Sequence, residues 1–164
     1  MLEKQQIIQL VQELGTKIGN DDLSELFQDD KTQGDNKIGH GQFRELAALC
    51  GAAECYEEIE LLVKYNTAKA SEKAKTGKSW AKECRMCSNQ KFGDLIVSYM
   101  RRIKETEQND ADVLSDMMHF FGYLYWQSRV WSMENPIQKN DDKRIKTNLP
   151  RNQKPNPQQK GGYR

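Results

Sequence analysis

The most constraining stretch runs from Asp110 to Trp131 and reads DADVLSDMMHFFGYLYWQSRVW. Val113, Met117, Phe120 and Leu124 recur at helical spacing, and Leu114, Met118, Phe121 and Tyr125 form a second row beside them. The two rows make an apolar stripe wider than a coiled-coil seam, as expected of a core-facing helix. Asp110 is the expected N-cap, with Asp112 and Asp116 near the positive end of the helix dipole. A helix over residues 111–131 would be roughly 30 Å long. Asp116, His119, Gln127 and Arg129 interrupt it, so it is not a membrane span. Its third face carries Ser115, Asp116 and His119, then Gly122, Trp126 and Arg129. The second half is therefore apolar almost all round, which suits either a central helix or one shared with a neighbouring subunit.

Around this helix the periodicity predicts an all-α chain. Leu2, Ile7, Leu10, Val11 and Leu14 line one side of a first helix over residues 2–14, closed by Gly15 and Gly19. Leu23, Leu26 and Phe27 suggest a further short helix, and residues 29–41 read as a loop. Phe43, Leu46, Ala47 and Cys50 mark a helix over residues 41–50. Tyr56, Ile59, Leu62 and Val63 mark another, over residues 53–73. Phe92, Leu95, Ile96, Tyr99, Met100 and Ile103 anchor a helical region over residues 80–107. Gly93 leaves one helix, or two near 79–87 and 90–106, as the alternatives. No stretch alternates as a strand does.

All four prolines lie beyond Asn135, in a stretch rich in Asn, Gln and Lys. The expectation is a compact helical bundle of about five to six helices over residues 1–134, followed by a disordered basic tail over residues 135–164. Hydrophobic content is 37% and charged content 30%, which suits a small helical domain with much solvated surface. The polar N-terminal residues contain no signal peptide, so a cytosolic chain is expected, with its cysteines as thiols or metal ligands.

Net charge is only +1, but it is segregated. Residues 1–63, 64–104, 105–134 and 135–164 carry −8, +8, −5 and +6. Such asymmetry has two readings: a nucleic-acid surface on an acidic body, or acidic and basic helices that pair with each other. In the basic middle block, Lys64, Lys69, Lys73, Lys78, Lys82, Arg85, Lys91, Arg101, Arg102 and Lys104 are interleaved with Tyr65, Trp80 and Tyr99. Cations that neutralise phosphates, beside rings that stack on bases, are what sequence-independent single-strand binding requires. On that reading, reversing Arg101 and Arg102 to Glu would weaken RNA binding and leave the fold intact.

No dinucleotide-binding glycine motif, P-loop, zinc-protease motif or serine elbow is present. His40 and His119 lie in different elements, without a carboxylate partner at helical spacing. Cys84 and Cys87 form a CxxC, and Cys50 and Cys55 a Cx4C. Together these thiols could hold a tetrahedral zinc, which makes a small helical zinc-binding or protein–protein adaptor the alternative reading. A nucleophilic Cys84 or Cys87 is a further alternative.

Three stretches carry a resemblance. GQFREL (residues 41–46) resembles the Gln-x-Arg helix start in the small helical subunits of type III CRISPR effector complexes. EIELLVKYNTAK (residues 58–69) is similar to that family's following helix, with Lys69 where the family commonly has Arg. HFFGYLYWQSRVW (residues 119–131) resembles its closing aromatic helix. The resemblance implies a non-catalytic subunit without cofactor or resident metal. It would stack with copies of itself beside the other effector subunits and contact guide and target RNA through their backbones. It carries over Arg44, Lys64 and Lys69 as RNA contacts; Arg85, Lys91, Arg101 and Arg102 join them on charge alone. Trp126 and Arg129 would suit a subunit interface.

Overall fold

A computed structural model describes residues 1–27, 40–72 and 79–134. The expected tail, most of the loop at 29–41 and Lys73 and Lys78 of the basic block lie outside these. The chain is a compact helical bundle with six α-helices among the described residues.

Helix α1 (Lys4–Ile18) starts on a capping box, in which the Glu3 amide donates to Gln6 Oε1 at 2.9 Å. It buries Ile7, Val11, Leu14 and Ile18, one apolar residue for each turn. It runs through Gly15, where the sequence suggested an end, and stops at Gly19 (φ +84°). Gly15 stays inside because another helix needs its missing side chain. Helix α2 (Asn20–Phe27) follows at once and buries Leu23, Leu26 and Phe27.

Helices α3 (His40–Cys50) and α4 (Tyr56–Glu72) bury Phe43, Leu46 and Cys50, and Tyr56, Ile59 and Val63. Helix α4 begins three residues later than the periodicity suggested. Its Leu61 and Tyr65 point to solvent.

The segment before α5 departs most from expectation. A 3-10 turn (Ser79–Ala81) leads into a small antiparallel hairpin of β1 (Glu83–Cys84) and β2 (Gln90–Lys91). Arg85–Cys87 form a second 3-10 turn, and Ser88 and Asn89 are left-handed, with φ of 54° and 58°. The CxxC thus sits in a tight knuckle closed by the Asn89 amide on Cys84 O at 3.2 Å. Two-residue strands are too short to show alternation, so periodicity could not reveal them. Helix α5 (Phe92–Thr106) then buries Leu95, Ile96, Tyr99, Met100 and Ile103.

Helix α6 (Asp110–Glu134) is about 37 Å long. Its cap is Asn109 and not Asp110: Asn109 Oδ1 accepts the Asp112 amide at 2.9 Å. Val113, Leu114, Met117, Phe120, Phe121, Leu124 and Trp131 are buried, and α6 touches all five other helices. One core extends from Ile7 to Trp131, and the rings of Phe27, Phe43, Trp80, Phe92 and Trp131 meet in it at 5.7–6.4 Å between centroids. Among the described residues no helix is long and apolar enough to cross a membrane.

Candidate nucleic-acid interface

Most of the basic middle block faces the acidic helices of its own chain. Arg101 donates to Glu60 at 2.6 Å, and Lys64 pairs with the same carboxylate. Arg102 grips both oxygens of Glu13 at 2.7 and 3.1 Å, and lies 4.9 Å over the Tyr99 ring. Lys104 pairs with Glu57. Burial would raise the Glu60 carboxyl, but Arg101, Lys64 and Tyr56 outweigh it and push it down to about 2.

Arg85 is likewise engaged. Its amide and Nε donate to the buried Asp22 at 2.8 and 2.9 Å, and Nη2 reaches Glu25 at 3.1 Å. Lys82 completes this cluster with Asp22 and Glu25. Lys91 donates to Ser71 Oγ at 2.9 Å. For Lys64, Lys82, Arg85, Arg101, Arg102 and Lys104 the second reading of the segregated charge, helices pairing internally, describes the fold, whereas Lys91 meets a hydroxyl and no carboxylate among the described residues. An arginine already holding a carboxylate has less to gain from a phosphate.

Arg44 and Lys69 differ: neither has a carboxylate partner among the described residues. Lys69 Nζ stands 5.7 Å from the exposed Tyr65 ring. The three positions carried by the resemblance do not share one surface. Arg44 looks toward α6, Lys69 toward a groove between α3 and α4, and Lys64 toward α5 through Glu60.

Helix α3 is flanked by two open grooves. The groove against α4, about 400 Å³, is mixed in polarity and includes Gln42, Glu45, Asn66 and Lys69. Trp80 closes it from below, donating Nε1–H to Gln42 Oε1 at 2.7 Å. The groove against α6, about 390 Å³, is nearly all apolar and aromatic and includes Arg44, His119, Tyr123 and Trp126. Trp126 is 64% exposed there. Arg129, one turn further along α6, is also exposed and without an acid partner among the described residues.

Sequence reasoning named Arg44, Trp126 and Arg129 but missed His119, Tyr123 and the groove itself. The available clue was Gly122 on the third face of α6. A Cβ there would meet nothing within 4 Å, so the glycine marks open space and not a tight crossing.

The four cysteines do not converge, which weighs against the alternative reading of a zinc site. Among the described residues no group of three or more His, Cys, Asp or Glu is placed to hold a metal. Cys50 ends α3 on its buried face, while Cys55 bonds weakly to Glu58 of α4 at 3.7 Å. Cys87 Sγ donates to Lys17 O at 3.1 Å, which ties the knuckle to α1. Burial pushes the Cys84 thiol up to about 12 and raises Cys87. Neither sulfur is set up as a thiolate at neutral pH.

Searches against family models, curated proteins and solved structures find no match to this chain.

Proposed function

We propose that this chain is a non-catalytic small subunit of an RNA-guided effector complex of the type III CRISPR kind. It contacts the guide–target RNA through the sugar–phosphate backbone and helps to hold the assembly together. One observation carries the reading. The three stretches with the family resemblance fall on α3, α4 and α6, and these helices pack against one another. Residues 41–46 and 119–131 lie far apart in sequence, yet they face each other across the same groove.

A subunit that accepts any target must read phosphates, with base pairing supplying specificity. Arg44 and Lys69, on either side of α3, are the cations best placed for this because no carboxylate among the described residues neutralises them. Lys64, Arg85, Lys91, Arg101 and Arg102 contribute less, since each already has a partner within the chain. The outward Leu61 and Tyr65 on α4, and Val130 and Met133 at the end of α6, suit contacts with neighbouring effector subunits.

The test is a salt titration of binding to a labelled single-stranded RNA, with a matched DNA alongside. The expected result is a log affinity that falls linearly with log salt and does not depend on sequence. Arg44→Ala and Lys69→Ala should each reduce that slope by about 1. Absence of RNA binding at low salt, with no effector backbone subunit captured, would sink the proposal. Capture of a protein partner without RNA binding would instead favour the adaptor reading.

A further inference from the structure

We infer that the α3–α6 groove is a base-stacking site, which receives a nucleobase of single-stranded RNA while Arg44 holds the adjoining phosphate. The inference rests on the RNA reading above and adds to it a contact with the base itself, where a backbone reader needs none.

The lining favours a flat aromatic guest. His119, Tyr123 and Trp126 form a continuous run of rings, at 6.2 and 5.8 Å between centroids. Gly122 and Ala47 leave room between the two helices; Met118 also lines the groove, but among the described residues no Leu, Ile or Val does. Grooves built for an apolar protein helix usually offer branched aliphatic side chains to interdigitate. A ring-lined slot offers π faces, and every base has one to match. A volume of about 390 Å³ suits a small planar ligand.

Charge points the same way. Arg85, Arg101 and Arg102 each hold a carboxylate, whereas Arg44 and Arg129 hold none among the described residues. Arg44 lines the groove and Arg129 follows Trp126 by three positions on α6, while among the described residues no Asp or Glu lines the groove. The two arginines without a carboxylate among the described residues are thus Arg44, in the groove, and Arg129, one turn beyond Trp126, which is where a stacked nucleotide needs cations. His119 adds a directional contact. Its Nδ1 lies 2.9 Å from Ser115 O, a carbonyl that can only accept, so Nδ1 carries the proton and Nε2 is left as the ring's other polar atom.

Trp126 also provides the readout. It is 64% exposed, while the other two tryptophans, Trp80 and Trp131, are 4% and 7% exposed. Quenching of tryptophan emission by a bound base therefore reports mainly on the groove. The experiment uses the full chain, a short single-stranded RNA and an abasic ribose–phosphate oligomer of equal length. RNA should quench Trp126 emission and bind about tenfold more tightly than the abasic chain. Gly122→Leu, whose Cβ meets nothing within 4 Å and whose side chain extends into the groove, should remove that advantage and keep the salt slope. Trp126→Phe should retain the advantage, and Trp126→Ala should lose it.

Equal affinity for RNA and abasic chain, with no quenching, would overturn the inference and leave the phosphate-reading proposal standing. Binding of neither at low salt would remove both. Protection of Trp126 by a purified effector subunit in the absence of RNA would also overturn it, and would give the groove to a protein contact.

Discussion

The indole of Trp131 lies against the backbone of Gly15, so that a Cβ on Gly15 would stand 2.3 Å from Cζ2 and 2.9 Å from Cε2 of the ring. This contact lets α1 and α6 approach closely and seats Trp131 against Phe27, 5.7 Å away between centroids. Gly15→Ala gains helix propensity, worth about 1 kcal/mol. The overlap with a packed ring should outweigh it, for a net loss of roughly 1–3 kcal/mol. Urea unfolding would measure this. Trp131→Phe in the same background should recover part of the loss, because the smaller ring vacates the atoms that clash.

Asp22 and Asp116 are both buried carboxylates, and they should act on acid stability in opposite senses. For Asp22, burial favours the neutral form, but the Arg85 amide and guanidinium and Lys82 outweigh it and hold the carboxyl below its usual range. Its contribution is therefore present above the unfolded value of about 3.9 and lost as pH falls through the lower folded value. For Asp116, burial raises the carboxyl; the Leu2 amide opposes this, and neighbouring Glu107 adds to it. Protonation of Asp116 thus strengthens the fold as pH falls through its raised value. Asp22→Ala should cost roughly 2–4 kcal/mol at pH 7, the buried-pair figure discounted for an exposed Arg85. Unfolding curves between pH 7 and pH 3 should flatten for Asp22→Ala and steepen for Asp116→Asn.

The ion pairs change what reversal of the paired arginines should do. Arg102→Glu would set a carboxylate against Glu13, and Arg101→Glu would do the same against Glu60. Melting temperature should fall together with any RNA affinity, which marks the pair as structural. Combining Glu13→Arg with Arg102→Glu restores opposite charges and should recover much of the lost melting temperature. An Arg101→Glu, Arg102→Glu variant that melts like the wild type would refute this.

The core was legible in the sequence because a period of 3.6 is a local property. Val113, Met117, Phe120 and Leu124 are all buried, as are Leu114 and Phe121 from the second row. Met118 and Tyr125 were placed in that row too, yet Met118 is 39% exposed and Tyr125 only half-buried, because the α3–α6 groove opens beside them. A periodic pattern states which face is apolar; it does not state where a neighbouring helix stops covering it. The basic block shows the same limit. Its charge was legible, but Arg102 meets Glu13 across 89 positions and Arg85 meets Asp22 across 63, and no local rule connects them. The Cys84–Cys87 knuckle escaped because its fold depends on left-handed Ser88 and Asn89 and on a bond to Lys17 of α1.

Phe121 and Trp126 stand on the same helix and should respond in contrasting ways. Phe121 is fully buried and meets Phe120 edge-on at 5.5 Å. Phe121→Ala should cost roughly 3–5 kcal/mol, since the surrounding core closes only partly over the space left. Among the described residues Trp126 has one neighbouring ring, Tyr123, and most of its surface is exposed. Trp126→Ala should therefore change stability by less than about 0.5 kcal/mol, as substitutions away from buried features do. Chemical denaturation of the two variants side by side gives both numbers. A stability loss at Trp126 close to that at Phe121 would mean that the indole packs within the domain, and a ring committed to its own core is not available to a ligand. A near-zero loss there shows that the indole is not committed to the packing of its own domain, as a contact with a ligand requires.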